Sequence, residues 1–151
     1  MTYKSDGTVK ARGESELQEG KITRTEIFDS EGRLEFIEHP IYDENGKITG
    51  NKRLLPDGNP YPYKYAVYGV AAFGGLEAMK GDIEKIQEVV SLIDRQYPIL
   101  DIVFLSKDRV EVQTGIVKGP LNARGRFHNL KKQGNLWQNA DKEGMVHSWV
   151  S

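Results

Sequence analysis

The stretches Phe28-Asp-Ser-Glu-Gly-Arg-Leu34 and Tyr42-Asp-Glu-Asn-Gly-Lys-Ile48 each place a glycine after a short polar run and between apolar residues. Aspartate, asparagine and glycine supply the positive φ angles of tight turns between antiparallel strands. A similar run recurs about every 12 residues through the N-terminal part, a spacing that suits one strand plus one turn. The sequence therefore predicts an antiparallel β-meander of hairpin repeats, with turns at Gly7, Gly20, Gly32, Gly46 and Gly58.

The strands between these turns carry few large apolar residues. Thin strands of this kind need neighbouring repeats, or the rest of the chain, to cover one face of the sheet. Pro56, Pro60 and Pro62 then crowd one short segment, and each proline restricts the residue before it to extended conformations. We therefore predict a hairpin-repeat region at 1–60 and a second region at 61–151.

The second region predicts one or two helices followed by strands. Residues 65–80 are small and apolar, which indicates a buried helix interrupted by glycines. The next helix is predicted to begin at Asp82, which can cap it, and to end before Pro98, with apolar residues at helical spacing as far as Tyr97. Strand patterns follow at 99–105, 109–117, 126–131, 136–138 and 145–150. The predicted fold class is α+β, a β-meander followed by one or two helices packed on a curved antiparallel sheet.

Composition excludes several classes of site. The 151 residues carry a net charge of −1. They include no cysteine, so disulfides, thiolate metal sites and a cysteine nucleophile are excluded. The start Met1-Thr-Tyr-Lys-Ser-Asp6 lacks the apolar region of a signal peptide, and no stretch reaches the roughly 18 apolar residues of a membrane helix. We expect a cytoplasmic protein with no membrane contact.

Four segments share an aromatic or apolar residue, a polar turn with glycine and a second apolar residue: Tyr3-Lys-Ser-Asp-Gly-Thr-Val9, Leu17-Gln-Glu-Gly-Lys-Ile22, Phe28-Asp-Ser-Glu-Gly-Arg-Leu34 and Tyr42-Asp-Glu-Asn-Gly-Lys-Ile48. This pattern resembles the bacterial variant of MORN repeats. Through Tyr42-Asp-Glu-Asn-Gly46 and Pro56-Asp-Gly58 it also resembles the YD repeats of Rhs-type shells. The MORN resemblance implies a β-meander used for protein contact, and such repeats occur in predicted bacterial antitoxin or immunity proteins.

The segment Leu130-Lys-Lys-Gln-Gly-Asn-Leu-Trp137 is similar to the final hairpin of NTF2-like and cystatin-like domains. Residues 82–151 as a whole resemble the helix and curved sheet of those domains. This resemblance implies a concave sheet face, which some members use to bind or convert small molecules. Other members are not enzymes, and some are immunity proteins.

Few residues form a pattern typical of catalysis or metal binding. The run at 27–38 resembles a calcium loop without its first carboxylate, so we expect a plain turn there, no metal site and no cofactor. The three histidines are far apart in the sequence and form no metal motif. We expect His128 at a surface or rim position; the alternative is a general base whose imidazole Asp101 or Glu111 orients across the strands.

A local excess of positive charge lies in the C-terminal part. No acidic residue occurs from Val112 to Ala140. Arg124 and Arg126 flank a glycine, and Arg126 and His128 are expected on one face of a strand, which suits an acidic protein, a phosphate or a nucleic acid. Ordinary solvated surface is the alternative. A run of tyrosines near residue 61 offers rigid contact area for a partner, or joins the two regions. The candidate partner-binding residues are Lys118, Arg124, Arg126, His128, Tyr61, Tyr63 and Tyr65.

These observations favour a non-enzymatic protein-binding module, such as a bacterial immunity or antitoxin-like protein that occludes its partner. Loop 119–126 and the tyrosine-rich junction are the expected contact regions. One alternative is a small-ligand-binding domain or enzyme that uses the concave sheet face. A further alternative is nucleic-acid binding through the basic segment 118–132, which predicts a steep loss of affinity with salt. Exposed strand edges leave a homodimer open.

Overall fold

The computed structural model describes residues 2–3, 9–118, 122–141 and 147–150. The chain divides into two compact units, Met1–Tyr63 and Lys64–Ser151. The boundary therefore lies within the proline- and tyrosine-rich segment, a few residues after the predicted position. The α+β fold class is confirmed.

The first unit is an antiparallel sheet in which each strand pairs with the next along the chain. The predicted meander is therefore confirmed, and the turn expected at Gly7 lies outside the described residues. In sequence order and in spatial order the strands are β1 (Thr2–Tyr3), β2 (Val9–Gln18), β3 (Lys21–Phe28), β4 (Leu34–Tyr42) and β5 (Ile48–Leu54).

Two of the turns share one set of hydrogen bonds. The Oδ1 atom of Asp29 accepts the backbone N–H groups two and four residues later, at 2.9 and 2.8 Å. Asp43 repeats this arrangement at 2.8 and 2.9 Å. Gly32 and Gly46 have φ angles of 86° and 79°, in the left-handed region that favours glycine. The short polar runs therefore form turns because the aspartate satisfies the backbone and the glycine adopts the strained conformation.

The core of the first unit is small and centred on β4. Phe36 is fully buried there, and its ring contacts Tyr61 edge to face with 5.6 Å between centroids. The guanidinium of Arg53 lies 5.3 Å from the centroids of both rings. Tyr61 lies in the Pro-Tyr segment after β5. This segment therefore marks the end of the meander and also contributes to its core.

The second unit is a mixed sheet with one helix among its described residues. Strands β7 to β10 are antiparallel neighbours, β6 pairs parallel with β7, and β11 pairs with β9. The elements are β6 (Ala66–Tyr68), a 3-10 turn (Ala71–Phe73), α1 (Leu76–Ile93), β7 (Ile99–Ser106), β8 (Arg109–Val117), β9 (Ala123–Gln133), β10 (Leu136–Asn139) and β11 (His147–Val150).

Two predictions for this unit are wrong. Residues 65–80 do not form one helix, because Gly69, Gly74 and Gly75 all adopt positive φ angles that separate a strand, a turn and the start of α1. The predicted all-antiparallel sheet is wrong for β6, since α1 crosses over and returns the chain parallel to it. The apolar run was therefore a buried edge strand followed by a helix.

The helix also differs from its predicted bounds. It begins at Leu76, so Asp82 is not its cap, and it ends at Ile93, with the backbone N–H of Asp94 donating to Val90. Asp82 instead accepts a hydrogen bond from Trp137 Nε1 at 3.0 Å. Trp137 also packs on the sheet, since its ring meets Phe104 edge to face with 6.3 Å between centroids.

No helix among the described residues combines the length and the apolar character needed to cross a bilayer.

Candidate functional site

The β8–β9 hairpin brings the predicted basic residues onto one face. Arg124, Arg126 and His128 lie directly opposite Ile116, Thr114 and Val112, and successive pairs at this spacing point to the same side of a sheet. The backbone N–H of Lys118 donates to Asn122 at 2.9 Å, which continues the same alternation. We call Lys118, Arg124 and Arg126 the basic face. Part of the predicted contact loop, residues 119–121, lies outside the described residues.

The two other basic residues of the acid-free segment, Lys131 and Lys132, do not extend the basic face. Lys132 forms an ion pair with Asp82 at 2.9 Å. Lys131 lies opposite Arg109, on the side of the sheet away from Arg124 and Arg126. The positive region is therefore narrower than the sequence indicated.

The four predicted residues on this side of the sheet differ in how far they are buried. Lys118 and Arg124 are exposed, and neither forms an ion pair within the described part of the chain. The Arg126 side chain is 32% exposed. His128 is only 2% exposed, so the expected surface or rim position is wrong. His128 belongs to the interior below the basic face.

A buried carboxylate that the sequence did not single out organises this region. The side chain of Asp94 is fully buried at the end of α1. Its oxygens accept five hydrogen bonds, from Thr114 Oγ1 at 2.7 Å, His128 Nε2 at 2.9 Å, Arg126 Nη1 at 3.1 Å, and the backbone N–H groups of Gln96 and Tyr97 at 3.1 Å each. Asp94 thus joins the helix end to the centres of β8 and β9.

The expected partners of His128 are therefore wrong. Glu111 lies opposite Asn129, and Asp101 lies opposite Gln113, so both point to the other face of the sheet. The sequence analysis did not identify Asp94 because it predicted a helix as far as Tyr97, which placed Asp94 inside that helix. The signal that could have found it is an acidic residue just after the last apolar position of the helix, where a side chain can bond the next backbone N–H groups.

Asp94 and its neighbours also fix the position of Arg126. Nη1 of Arg126 donates to Asp94, and Nη2 donates to Gln96 Oε1 at 2.8 Å. The guanidinium carbon lies 5.0 Å from the centroid of the Tyr97 ring, within the range of a cation–π contact. Three contacts therefore hold one arginine of the basic face in a single orientation while leaving part of it exposed.

Acid should destabilise the folded state by protonating two aspartates, Asp94 and Asp82. Burial alone would raise the pKa of both carboxyls. Hydrogen bonds from His128 and Thr114 outweigh this effect at Asp94 and lower its pKa from the ordinary 3.8. Hydrogen bonds from Lys132 and Trp137 do the same for the pKa of Asp82. A carboxyl whose pKa is lower in the folded state than in the unfolded state stabilises the folded state when the pH is above the unfolded-state pKa. This contribution is lost as the pH falls through the folded-state pKa. The free energy of unfolding should therefore fall below about pH 4, measured by denaturant titration from about pH 6 to about pH 2.

Asp82→Asn provides the control for this acid dependence. The variant removes one of the ionising groups, so its stability should fall less steeply below about pH 4 than that of the wild type. Identical slopes in the two proteins would contradict the role of Asp82.

The predicted tyrosines are divided between the two units. Tyr61 and Tyr63 belong to the first unit, where their rings lie 6.4 Å apart edge to face. Tyr65 belongs to the second unit, and its hydroxyl donates to Gln87 Oε1 on α1 at 2.8 Å. All three are half-buried and make contacts within their own units.

Among the described residues, no group of three or more histidines, aspartates and glutamates is placed to hold a metal ion. The carboxylate of Asp29, in the run that resembles a calcium loop, is used by the turn and by Arg33, whose Nη1 donates to it at 3.0 Å.

Comparison of the chain with protein-family models, with curated proteins and with solved structures finds no match.

Proposed function

We propose that this protein is a non-enzymatic binding module that contacts an acidic surface of a partner protein through the basic face. The observation that carries the proposal is that two exposed cations, Lys118 and Arg124, share one face of the sheet with Arg126. Internal contacts already hold Arg126 in place. An exposed arginine that forms no ion pair within the described residues, and a preoriented arginine beside it, are both suited to carboxylates.

The three residues have different roles in this proposal. Arg126 loses little conformational freedom on binding, because Asp94, Gln96 and Tyr97 already restrict it. It is therefore suited to be the anchor, and its side chain remains 32% exposed for contact with a partner. Lys118 and Arg124 are exposed, so they contribute mainly to the encounter rate and the orientation of the complex.

The interior position of Asp94 and His128 also favours binding over catalysis. Both side chains are almost completely enclosed, and their hydrogen bonds join secondary-structure elements. A general base must come within hydrogen-bond reach of the substrate proton. The resemblance of the first unit to bacterial MORN-variant repeats supports the proposed class, a cytoplasmic immunity or antitoxin-like protein that occludes its partner.

The proposal predicts a capture experiment whose result depends on the basic face. Tagged protein from its native cells should retain a stoichiometric protein partner with an acidic contact surface. The double variant Lys118→Glu and Arg124→Glu should bind that partner at least about tenfold more weakly, because both attraction and orientation are reversed. The affinity of the purified pair, measured by calorimetry, gives the comparison.

The matched control is Arg109→Glu. Arg109 is exposed on β8, but it lies on the opposite face of the sheet from Arg124. Its reversal changes the net charge by the same amount per residue and should leave the affinity within about twofold. Equal binding by the double variant and the wild type would refute the proposed surface, and capture that disappears after nuclease treatment would indicate nucleic acid instead.

A further inference from the structure

The turn between β4 and β5 contains a reactive dipeptide. Asn45 is followed by Gly46, whereas each of the other six asparagines of the chain is followed by a residue with a side chain. In an Asn-Gly pair the backbone nitrogen of the glycine can attack the side-chain amide carbon of the asparagine, because no side chain on the second residue hinders the approach. Asn45 is therefore the asparagine of this chain most prone to lose its amide group.

We propose that Asn45 is a modification site, at which reaction with water converts the asparagine into aspartate and isoaspartate at a rate set by the opening of the turn at residues 43–47. We call these residues the Asp43 turn. The site lies in the first unit and does not involve the basic face.

The reaction balances with water as the only other reactant. The Gly46 nitrogen gives up its proton to the solvent and attacks Cγ of Asn45, the bond from Cγ to the side-chain nitrogen breaks, and ammonia leaves. The five-membered succinimide ring that forms is then opened by water at one of its two C–N bonds. Cleavage at Cγ restores the original backbone and gives aspartate. Cleavage at the main-chain carbonyl carbon gives isoaspartate, in which the backbone continues through the side chain and is longer by one carbon atom.

The side chain of Asn45 is open to water. It is exposed, and within the described part of the chain its amide group makes no hydrogen bond. Two other asparagines are held by hydrogen bonds, since the side chain of Asn59 donates to Asp57 at 3.0 Å and that of Asn129 donates to Asp141 at 2.9 Å. The Asn45 side chain can therefore rotate toward the Gly46 nitrogen, and water can reach the ring that forms.

The hydrogen bonds of the Asp43 turn fix the backbone around the reacting atoms. Attack requires rotation about the bond between Cα and the carbonyl carbon of Asn45. The N–H of Gly46 donates to the C=O of Asp43 at 3.1 Å, and the N–H of Asp43 donates to the C=O of Lys47 at 2.9 Å. Oδ1 of Asp43 also accepts the backbone N–H groups of Asn45 and Lys47. The reaction therefore waits for local opening of the turn, which the Asp43 side chain opposes.

Opening of this turn is a local event. Residues 43–49 are exposed in the folded state, except for Gly46, which is half-buried. A segment with few buried contacts opens at a lower free energy than the core of the sheet. The reactive state is therefore reached without unfolding of the first unit.

A third turn of the meander shows that the hairpin does not require Asp43. Residues 55–59 close with the same two backbone hydrogen bonds, from Leu55 to Asn59 at 2.8 Å and from Gly58 to Leu55 at 2.9 Å, with leucine in the place of the aspartate. The variant Asp43→Ala should accordingly keep the hairpin and open it more often.

The test follows Asn45 in the full chain during incubation at mildly alkaline pH and physiological temperature. Peptide mapping by mass spectrometry should find a gain of one mass unit at Asn45 before any other asparagine reacts, with isoaspartate identified by electron-transfer fragmentation. Asp43→Ala should raise the rate at least about fivefold, because two hydrogen bonds that oppose opening are lost. The matched control is Asp57→Ala, which removes the side-chain acceptor of a different turn and should leave the rate within about twofold.

A synthetic peptide with the sequence of residues 42–48 gives the rate in the absence of the folded turn, and it should react faster than the protein. If Asn45 of the protein were still intact after the peptide had reacted completely, or if another asparagine reacted first, the inference would be overturned. Equal rates in the protein and the peptide, or in Asp43→Ala and the wild type, would overturn the control of the reaction by the turn.

Discussion

Asp94→Ala should lower the free energy of unfolding by about 3–5 kcal/mol, because it removes the acceptor of five hydrogen bonds inside the second unit. Thr114 and His128 are buried, and without the carboxylate their donors would lose a charged partner. The cation of Arg126 would also lose its buried counter-charge. Urea titration followed by circular dichroism measures this change.

Asp108→Ala is the matched control for this loss. Asp108 is an exposed aspartate in the turn between β7 and β8, so its truncation should change stability by no more than about 0.5 kcal/mol. If the two variants were equally stable, Asp94 would not hold α1 to the sheet. Asp94→Asn should fall between them, since an amide retains one acceptor oxygen but places an NH2 group where the other oxygen accepted hydrogen bonds.

Gly125→Ala should destabilise the second unit by about 3 kcal/mol or more, although it adds a single methyl group. A Cβ atom at this position would overlap the backbone C=O of Thr114 and lie 2.6 Å from the Cα atom of Gly115. These contacts are with the backbone, which cannot rotate away as a side chain can. Strands β8 and β9 would have to separate where Arg126 and Thr114 meet Asp94.

Gly81→Ala provides a control of opposite sign. Gly81 is exposed in α1, and a Cβ atom there would meet nothing within 4 Å. Alanine is the better helix former by about 0.8–1 kcal/mol, so this variant should be more stable than the wild type. A Gly125→Ala protein as stable as Gly81→Ala would contradict the close approach of the two strands. Thermal and urea denaturation of both variants give the comparison.

The turns of the meander could be predicted because their causes are local. Asp29 and Asp43 bond backbone groups at most four residues away, and the glycines that follow accept the positive φ angle themselves. The shared face of Arg126 and His128 was predictable for the same reason, since the period of two is a property of any strand. Neither prediction required knowledge of distant residues.

The interior of the second unit could not be predicted in this way. Asp94 meets Thr114 and His128, which are 20 and 34 residues later in the chain. An aspartate after a helix is common, and only the arrival of two strands beside it makes it a buried acceptor. The same holds for β6, where Ala66, Val67 and Tyr68 form a strand because β7 pairs with them.

The sequence by itself determined the elements whose hydrogen bonds close within a few residues: the aspartate–glycine turns, the meander they connect and the alternation that groups the cations. The tertiary structure alone decided which carboxylate binds His128 and Arg126. It also decided where β8 and β9 approach too closely for a side chain. These features depend on contacts between residues far apart in the chain, whose free energy appears only when the sheet and helix pack together.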